Sequence, residues 1–123
     1  MKKLDSNKLT EEQIAFFDNP DHLAYMATVD EDGTPSVGPK ASMKVLNDGQ
    51  LQYLEKTKSH AYENLKNGSK AAIVVADVPS HKAMKIIATP EIHENDDYAK
   101  SVVEGTDTPN AYVVVLNIDE IQE

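Results

Sequence analysis

The sequence predicts a mainly β (α+β) domain: six short strands closed into an antiparallel barrel, with two to three short helices in the gaps. Three observations carry this expectation. Apolar, strand-like runs recur along the whole chain. Asp32-Gly33 and Asn47-Asp48-Gly49 are hairpin turns that join neighbouring runs. Helical patterns occupy only the remaining gaps, which favours antiparallel pairing over a parallel sheet.

Thr10-Glu11-Glu12-Gln13 reads as a capping box opening a helix over about 10–18, stopped near Pro20. Leu23 to Val29 is a strand, and Asp30 to Pro35 its turn. Ser36 to Val45 is expected as one returning strand bent around Gly38 and Pro39. Gln50 to Leu54 is the next strand. A second helix runs from about Ser59 to Asn67 and ends at Gly68, which suits the left-handed residue after a helix. Ala71 to Val78, apolar except for Asp77, reads as a strand buried on both faces. Lys82 to Ile92 is a longer strand, kinked or edge-facing at Pro90. Asp96 to Gly105 is a third helix, and Ala111 to Ile118 the final strand.

Composition bounds the function. A chain of 123 residues is expected to form one domain, 1–123, with 1–9 as a flexible tail. Met1-Lys2-Lys3 leads into no apolar stretch, so it does not read as a signal peptide, and no run approaches the roughly 18 residues of a membrane span. Without cysteine there is neither a disulfide frame nor a thiolate nucleophile, and a cytoplasmic location is expected. The formal charge is −9 and all 12 basic residues are lysine. A nucleic-acid role is disfavoured by sign and by the missing guanidinium. The acidity itself is read as a contribution to solubility.

Against that charge, Lys56-Thr57-Lys58-Ser59-His60 stands out. It lies between a strand and a helix, and a helix start offers free N–H groups and a positive dipole end to an anion. Hydroxyls, ammonium and imidazole crowded there read as a phosphate seat for a cofactor. The plainer reading is a helix cap on a solvated face. Other candidates are weaker. His22, His81 and His93 lack metal-ligand spacing and read as surface residues. Asp96-Asp97 reads as an acidic helix start, and no serine has a nucleophile-elbow context. Tyr53 and Tyr112 are expected in the core or an interface.

Several segments, in this order, resemble the FMN-binding split-barrel family, which includes pyridoxamine 5′-phosphate oxidase-like and small FMN-binding proteins. They are Leu23–Pro35, Val37–Val45, Thr57-Lys58-Ser59 with Asn64-Leu65, Asn67–Val74, and Ile87–Ile92. The resemblance spans roughly 10–120. It implies a six-stranded antiparallel Greek-key split β-barrel that forms a homodimer, with FMN held non-covalently between the subunits. Carried over position by position, Lys40, Ala41 and Ser42 would line the flavin ring and ribityl chain. Glu55, Lys56, Thr57, Lys58, Ser59, His60 and Ala61 would surround the phosphate. Many members carry lysine where this chain has Ala61, and many use arginine at the phosphate; here Lys58 or His60 would supply the charge.

The function so implied is a flavin-dependent oxidoreductase or electron carrier with a small-molecule or protein redox partner. Neither nucleic acid nor membrane is expected as a partner, and no catalytic acid–base residue stands out. True pyridoxamine phosphate oxidase activity is disfavoured, because its second phosphate seat is built largely with arginine. The alternatives are a non-enzymatic flavin-binding or storage module, and a barrel that has lost FMN or takes another phosphorylated ligand.

Overall fold

The computed structural model describes residues 1–123. Its elements are α1 (Glu11–Phe17), β1 (Tyr25–Val29), β2 (Pro35–Pro39), β3 (Lys44–Asn47), β4 (Gln50–Glu55), α2 (His60–Lys66), β5 (Ala71–Asp77), β6 (Lys82–His93), α3 (Asp97–Val103) and β7 (Tyr112–Gln122). The strands form one sheet in the order β2-β1-β5-β6-β7-β4-β3, with every neighbouring pair antiparallel. The α+β split-barrel class is therefore as expected, but the strand count is seven, not six, and the sheet is not closed: β2 and β3 are its unpaired edges.

The additional strand comes from the segment expected as one bent strand. Pro39 has no N–H with which to continue a ladder. The chain then turns, with the Lys40 N–H donating to the Ala24 carbonyl and the Met43 N–H to the Lys40 carbonyl. The half before this turn pairs with β1 and the half after it with β4, so one run becomes the two opposite edges.

A second correction concerns β5. Ala71, Ile73 and Val75 are buried, whereas Val74 and Ala76 are exposed. The outer face of β1, β2 and β5 is left uncovered, which an antiparallel sheet permits, whereas α3 covers that face at β7. At Pro90, pairing of β6 with β5 has already ended at Ala88, so this stretch has β7 alone as neighbour. Residues 1–9, expected as a tail, run along β7: the Lys2 and Leu4 N–H groups donate to the Glu123 and Ile121 carbonyls, and Leu9 is buried.

The main core fills one side of the sheet. Leu51 and Tyr53 of β4, Ile73 and Val75 of β5, Met84 and Ile86 of β6, and Leu116 and Ile121 of β7 are nearly inaccessible. Phe17 of α1 and Tyr62 and Leu65 of α2 close over them. Each such side chain contributes about 1.5–3 kcal/mol by leaving water. Two of the three helix starts match their sequence signals: Thr10 and Gln13 form the reciprocal capping box, and the Asp96 carboxylate accepts from the Ala99 N–H. No helix is long and apolar enough to cross a membrane.

Candidate functional site

β4 and β5 are not adjacent, so the chain must leave the sheet after Glu55 and return at Ala71. The turn 56–59 and helix α2 make that crossing. The turn is organised by one buried side chain. Glu55 is 2% exposed. Its Oε2 accepts from the Lys58 N–H at 2.9 Å and from the Thr57 hydroxyl at 3.3 Å. Its Oε1 accepts from the Tyr53 hydroxyl at 3.3 Å and lies 3.7 Å from Lys40 Nζ. A buried carboxylate needs such donors, because an unpartnered one is very costly. Burial, and then the charge of Glu55, push the Tyr53 phenol pKa well up, so this phenol stays neutral and donates.

Glu55 thus joins the two groups of residues singled out in the sequence. On one side is Lys40, whose ammonium also sits 5.0 Å from the Tyr53 ring centre. The Ser42 hydroxyl accepts from the Leu54 N–H at 3.0 Å, so it is a tie between the β2–β3 turn and β4. Lys40 and Ala41 border a cleft of about 450 Å³ shared with Phe17, His22 and Met43. A larger cleft, about 900 Å³, lies beside α1 and touches no residue of either group.

On the other side is the turn itself. Lys58 adopts φ 51°, a left-handed backbone that its hydrogen bond to Glu55 helps to hold. Its ammonium is 2.9 Å from the Asn110 carbonyl and 3.9 Å from the Tyr112 ring centre. The hydroxyls of Thr57 and Ser59 are 3.3 Å apart. Ser59 precedes the helix, but its side chain does not cap it. Lys56 is exposed, and Ala61 is half-buried against the core.

His60 is held from the β1–β2 turn. Its Nε2 lies 2.7 Å from Asp30 Oδ1. The same oxygen accepts from Asn64 Nδ2 at 2.8 Å, and Asn64 also donates to the Thr28 hydroxyl at 3.0 Å. His60 and Asn64 are four apart and so share a helix face. Further along α2, Tyr62 donates to Glu94, which also pairs with Lys66 at 2.9 Å. Burial, and then this hydrogen bond, push the Tyr62 pKa up, while Tyr62 and then Lys66 hold Glu94 below the usual carboxylate range.

The structure therefore brings 40–42 and 55–61 to one end of the sheet around Glu55. It adds residues that single-sequence reading missed as site components: Asp30, Asn64, Tyr62, Glu94 and Asn110. Their pairings are long-range and leave no local pattern. Only the four-residue spacing of His60 and Asn64 is a local signal. Two histidines read as surface residues are not: His22 has a side chain 8% exposed, with Nδ1 2.7 Å from the Phe16 carbonyl oxygen. His93 is 18% exposed and lies between Asp96 and Glu91.

An antiparallel split-barrel sheet, crossed between β4 and β5 by a turn and a short helix, defines a fold class. The chain belongs to the pyridoxamine 5′-phosphate oxidase family, whose model matches residues 9–123. It is similar over its full length to a Lactobacillus delbrueckii protein named as a candidate pyridoxamine 5′-phosphate oxidase, at 62% identity, 100% of both chains and TM-score 0.96. It resembles Group A Streptococcus HupZ at 31% identity over 92% of this chain and 91% of that one, with TM-score 0.78. An FMN-binding protein from Syntrophomonas wolfei shares the fold at 16% identity, covering 89% of this chain and 81% of the other, with TM-score 0.65. No curated protein matches the chain.

Proposed function

We propose that this protein binds FMN non-covalently at a homodimer interface and serves as a flavin-dependent oxidoreductase or electron carrier. The observation that carries the reading is the Thr57–Ser59 hydroxyl pair, beside a helix start with no side-chain cap, on a turn fixed by Glu55. The donor set suits a phosphate monoester: two hydroxyls, the exposed Lys56 ammonium and Lys58 close by. Lys40, Ala41 and Ser42 would line the ring and ribityl side. When bound, the flavin supplies hydride or electron transfer. The chain's own part is to seat the phosphate, to place a cation from Lys40 beside the ring, and to exclude water.

The uncovered sheet face supports the dimer. Tyr25 and Val29 of β1, Val37 of β2 and Val74 of β5 are 36–72% exposed. Register puts Val37, Ala27 and Ala72 in one row across three strands, with Ile87 of β6 next. A contiguous apolar patch of this kind marks an interface. In this reading a second copy covers it.

One observation favours the non-enzymatic alternative, or a barrel that takes another phosphorylated ligand. Three of the site's cations already have partners: Lys58 has Asn110 and Tyr112, His60 has Asp30, and Lys40 has Glu55. An absorbance scan of the purified protein, before and after FMN addition and gel filtration, separates the readings. Retained flavin at about one per chain supports the proposal. Retained flavin that NAD(P)H cannot reduce supports a carrier or storage role. Failure to retain flavin refutes the proposal.

A further inference from the structure

Val113 and Val114 alternate along β7, so α3 packs on the face opposite the main core. Its own core is small: Ala99, Val103, Ala111 and Val113, with Leu54 and Val102 half-buried beside them. Seven residues are too few for a helix to stand alone in water, so α3 depends on its docking. Two polar ties add to that small core. Tyr98 donates to the buried Gln52 of β4. His93, the last residue of β6, places Nδ1 2.6 Å from Asp96 Oδ2 and Nε2 2.9 Å from Glu91 Oε2. Its ring centre is 4.7 Å from that of Tyr98. The other Asp96 oxygen accepts from the Ala99 N–H at 2.8 Å, so one carboxylate both caps α3 and ties it to the end of β6. Only imidazolium carries two N–H donors. A neutral ring sets a lone pair against one of the carboxylates, so that contact opens, and the other loses the attraction between opposite charges.

We propose that His93 is a proton-dependent latch on α3, and that its release withdraws Asn110 from Lys58. The link runs through the segment after the helix. Gly105 (φ 75°) turns the chain, which leads on to Asn110, whose carbonyl accepts from Lys58 Nζ at 2.9 Å. The closed segment buries Thr108 Oγ1 without a hydrogen-bond partner, a cost that opening relieves. The charged groups facing the His93 ring are Glu91 of β6 and Asp96 at the start of α3. α3 adds the Tyr98 phenol, and β7 places the apolar Val113 opposite His93. Burial disfavours the charged ring, but the hydrogen bonds to Asp96 and then Glu91 outweigh it. The latch is therefore complete below about pH 6.5 and is lost as pH rises through the raised folded value. Once released, the Lys58 ammonium is free of the carbonyl and can meet an anion. That last consequence rests on the flavin reading above; the latch itself does not.

The test is hydrogen exchange in the whole protein at about pH 6 and about pH 9, on either side of the range in which histidine changes charge. Rates are corrected for the intrinsic pH dependence of exchange, and the β7 amides serve as internal reference. Residues 97–110 are expected to open about fivefold more often at the higher pH, the scale of one partly exposed ion pair. H93Q should open at the native high-pH level at both values. H93R, whose charge does not titrate, should stay closed at both. If either variant fails to fold, the pH dependence of the native protein decides alone. Acylation reads the link to the site. At about pH 7, Lys58 should be labelled up to about fivefold faster in H93Q than in H93R, relative to the exposed Lys56. Opening of 97–110 that does not change with pH in the native protein, or that stays pH-dependent in H93Q, overturns the latch. Equal Lys58 labelling in the two variants overturns its link to Lys58. No ligand enters either measurement, so a failure to retain flavin would sink the flavin reading and leave the latch standing.

Discussion

Removing the Glu55 carboxylate tests whether it organises the turn. Glu55→Gln keeps the shape and one carbonyl oxygen, which can still accept from the Lys58 N–H and the Thr57 hydroxyl. The amide nitrogen then faces the Tyr53 hydroxyl, which can rotate to accept, and Lys40 Nζ, which cannot. The Lys40 pair is long at 3.7 Å and the Lys40 side chain is 19% exposed, so its loss is worth about 1–2 kcal/mol. Glu55→Ala goes further. It strands the Lys58 N–H and the Tyr53 hydroxyl and leaves a small void, together about 3–5 kcal/mol. For a domain of this size 1 kcal/mol moves the melting temperature by about 3–5 °C. Calorimetry should therefore show a modest drop for E55Q and a drop about two to three times larger for E55A. Equal effects, or an E55A protein as stable as the native one, would refute the claim that backbone satisfaction at Lys58 is the main role of Glu55.

Three further outcomes are expected. Asn64→Ala should destabilise by about 2–3 kcal/mol in denaturant unfolding, because its amide serves both Thr28 and Asp30 from a buried position; a cost under about 0.5 kcal/mol would show that the frame contributes little. At His93, desolvation lowers the pKa, but hydrogen bonds to Asp96 and then Glu91 outweigh it and raise the pKa above the ordinary value. The stabilisation is therefore complete below about pH 6.5 and lost as pH rises through the raised folded value. H93Q should cost up to about 1 kcal/mol at pH 6 and less at pH 9, since both carboxylates are about half exposed; a cost that grows with pH contradicts the assignment. Val37→Lys places a charge on the most exposed residue of the apolar row and should convert the proposed dimer to monomer in light scattering. An unchanged mass moves the interface elsewhere.

Much of the frame is legible in the sequence because its signals are local. The capping box at Thr10, Asp96 as helix cap and Gly68 (φ 101°) after α2 each act within a turn of chain. Expectation and structure part where neighbours decide. The alternation of β5 is hidden because Ala and Val occur on both faces, and only the absence of a covering layer makes Val74 outward. The apolar run of the last strand stops at Ile118, but β7 continues to Gln122, where Glu120, Ile121 and Gln122 pair with β6. At the site, residues 55–61 are legible as a cluster, whereas the partners that restrain them are not. Nothing near Lys58 in sequence points to Asn110, 52 residues away.

The placement of β7 has a consequence for how the chain acquires its structure. The β3–β4 hairpin forms early in sequence, yet its neighbouring strand lies much later: Gln50 pairs with Asn117 across 67 residues. Until that strand arrives, Leu51 and Tyr53 have no wall to pack against. The β5–β6 hairpin pairs strands close in sequence, whereas β4 cannot pair with β7 before residues 112–117 are in place. Closing so long a loop late is slow. Leu51, Tyr53 and Leu54 of β4 stay open to wrong partners meanwhile. The residues proposed to seat the phosphate follow β4 directly, so a ligand held there would act as a folding ligand, favouring the paired state of β4 by mass action.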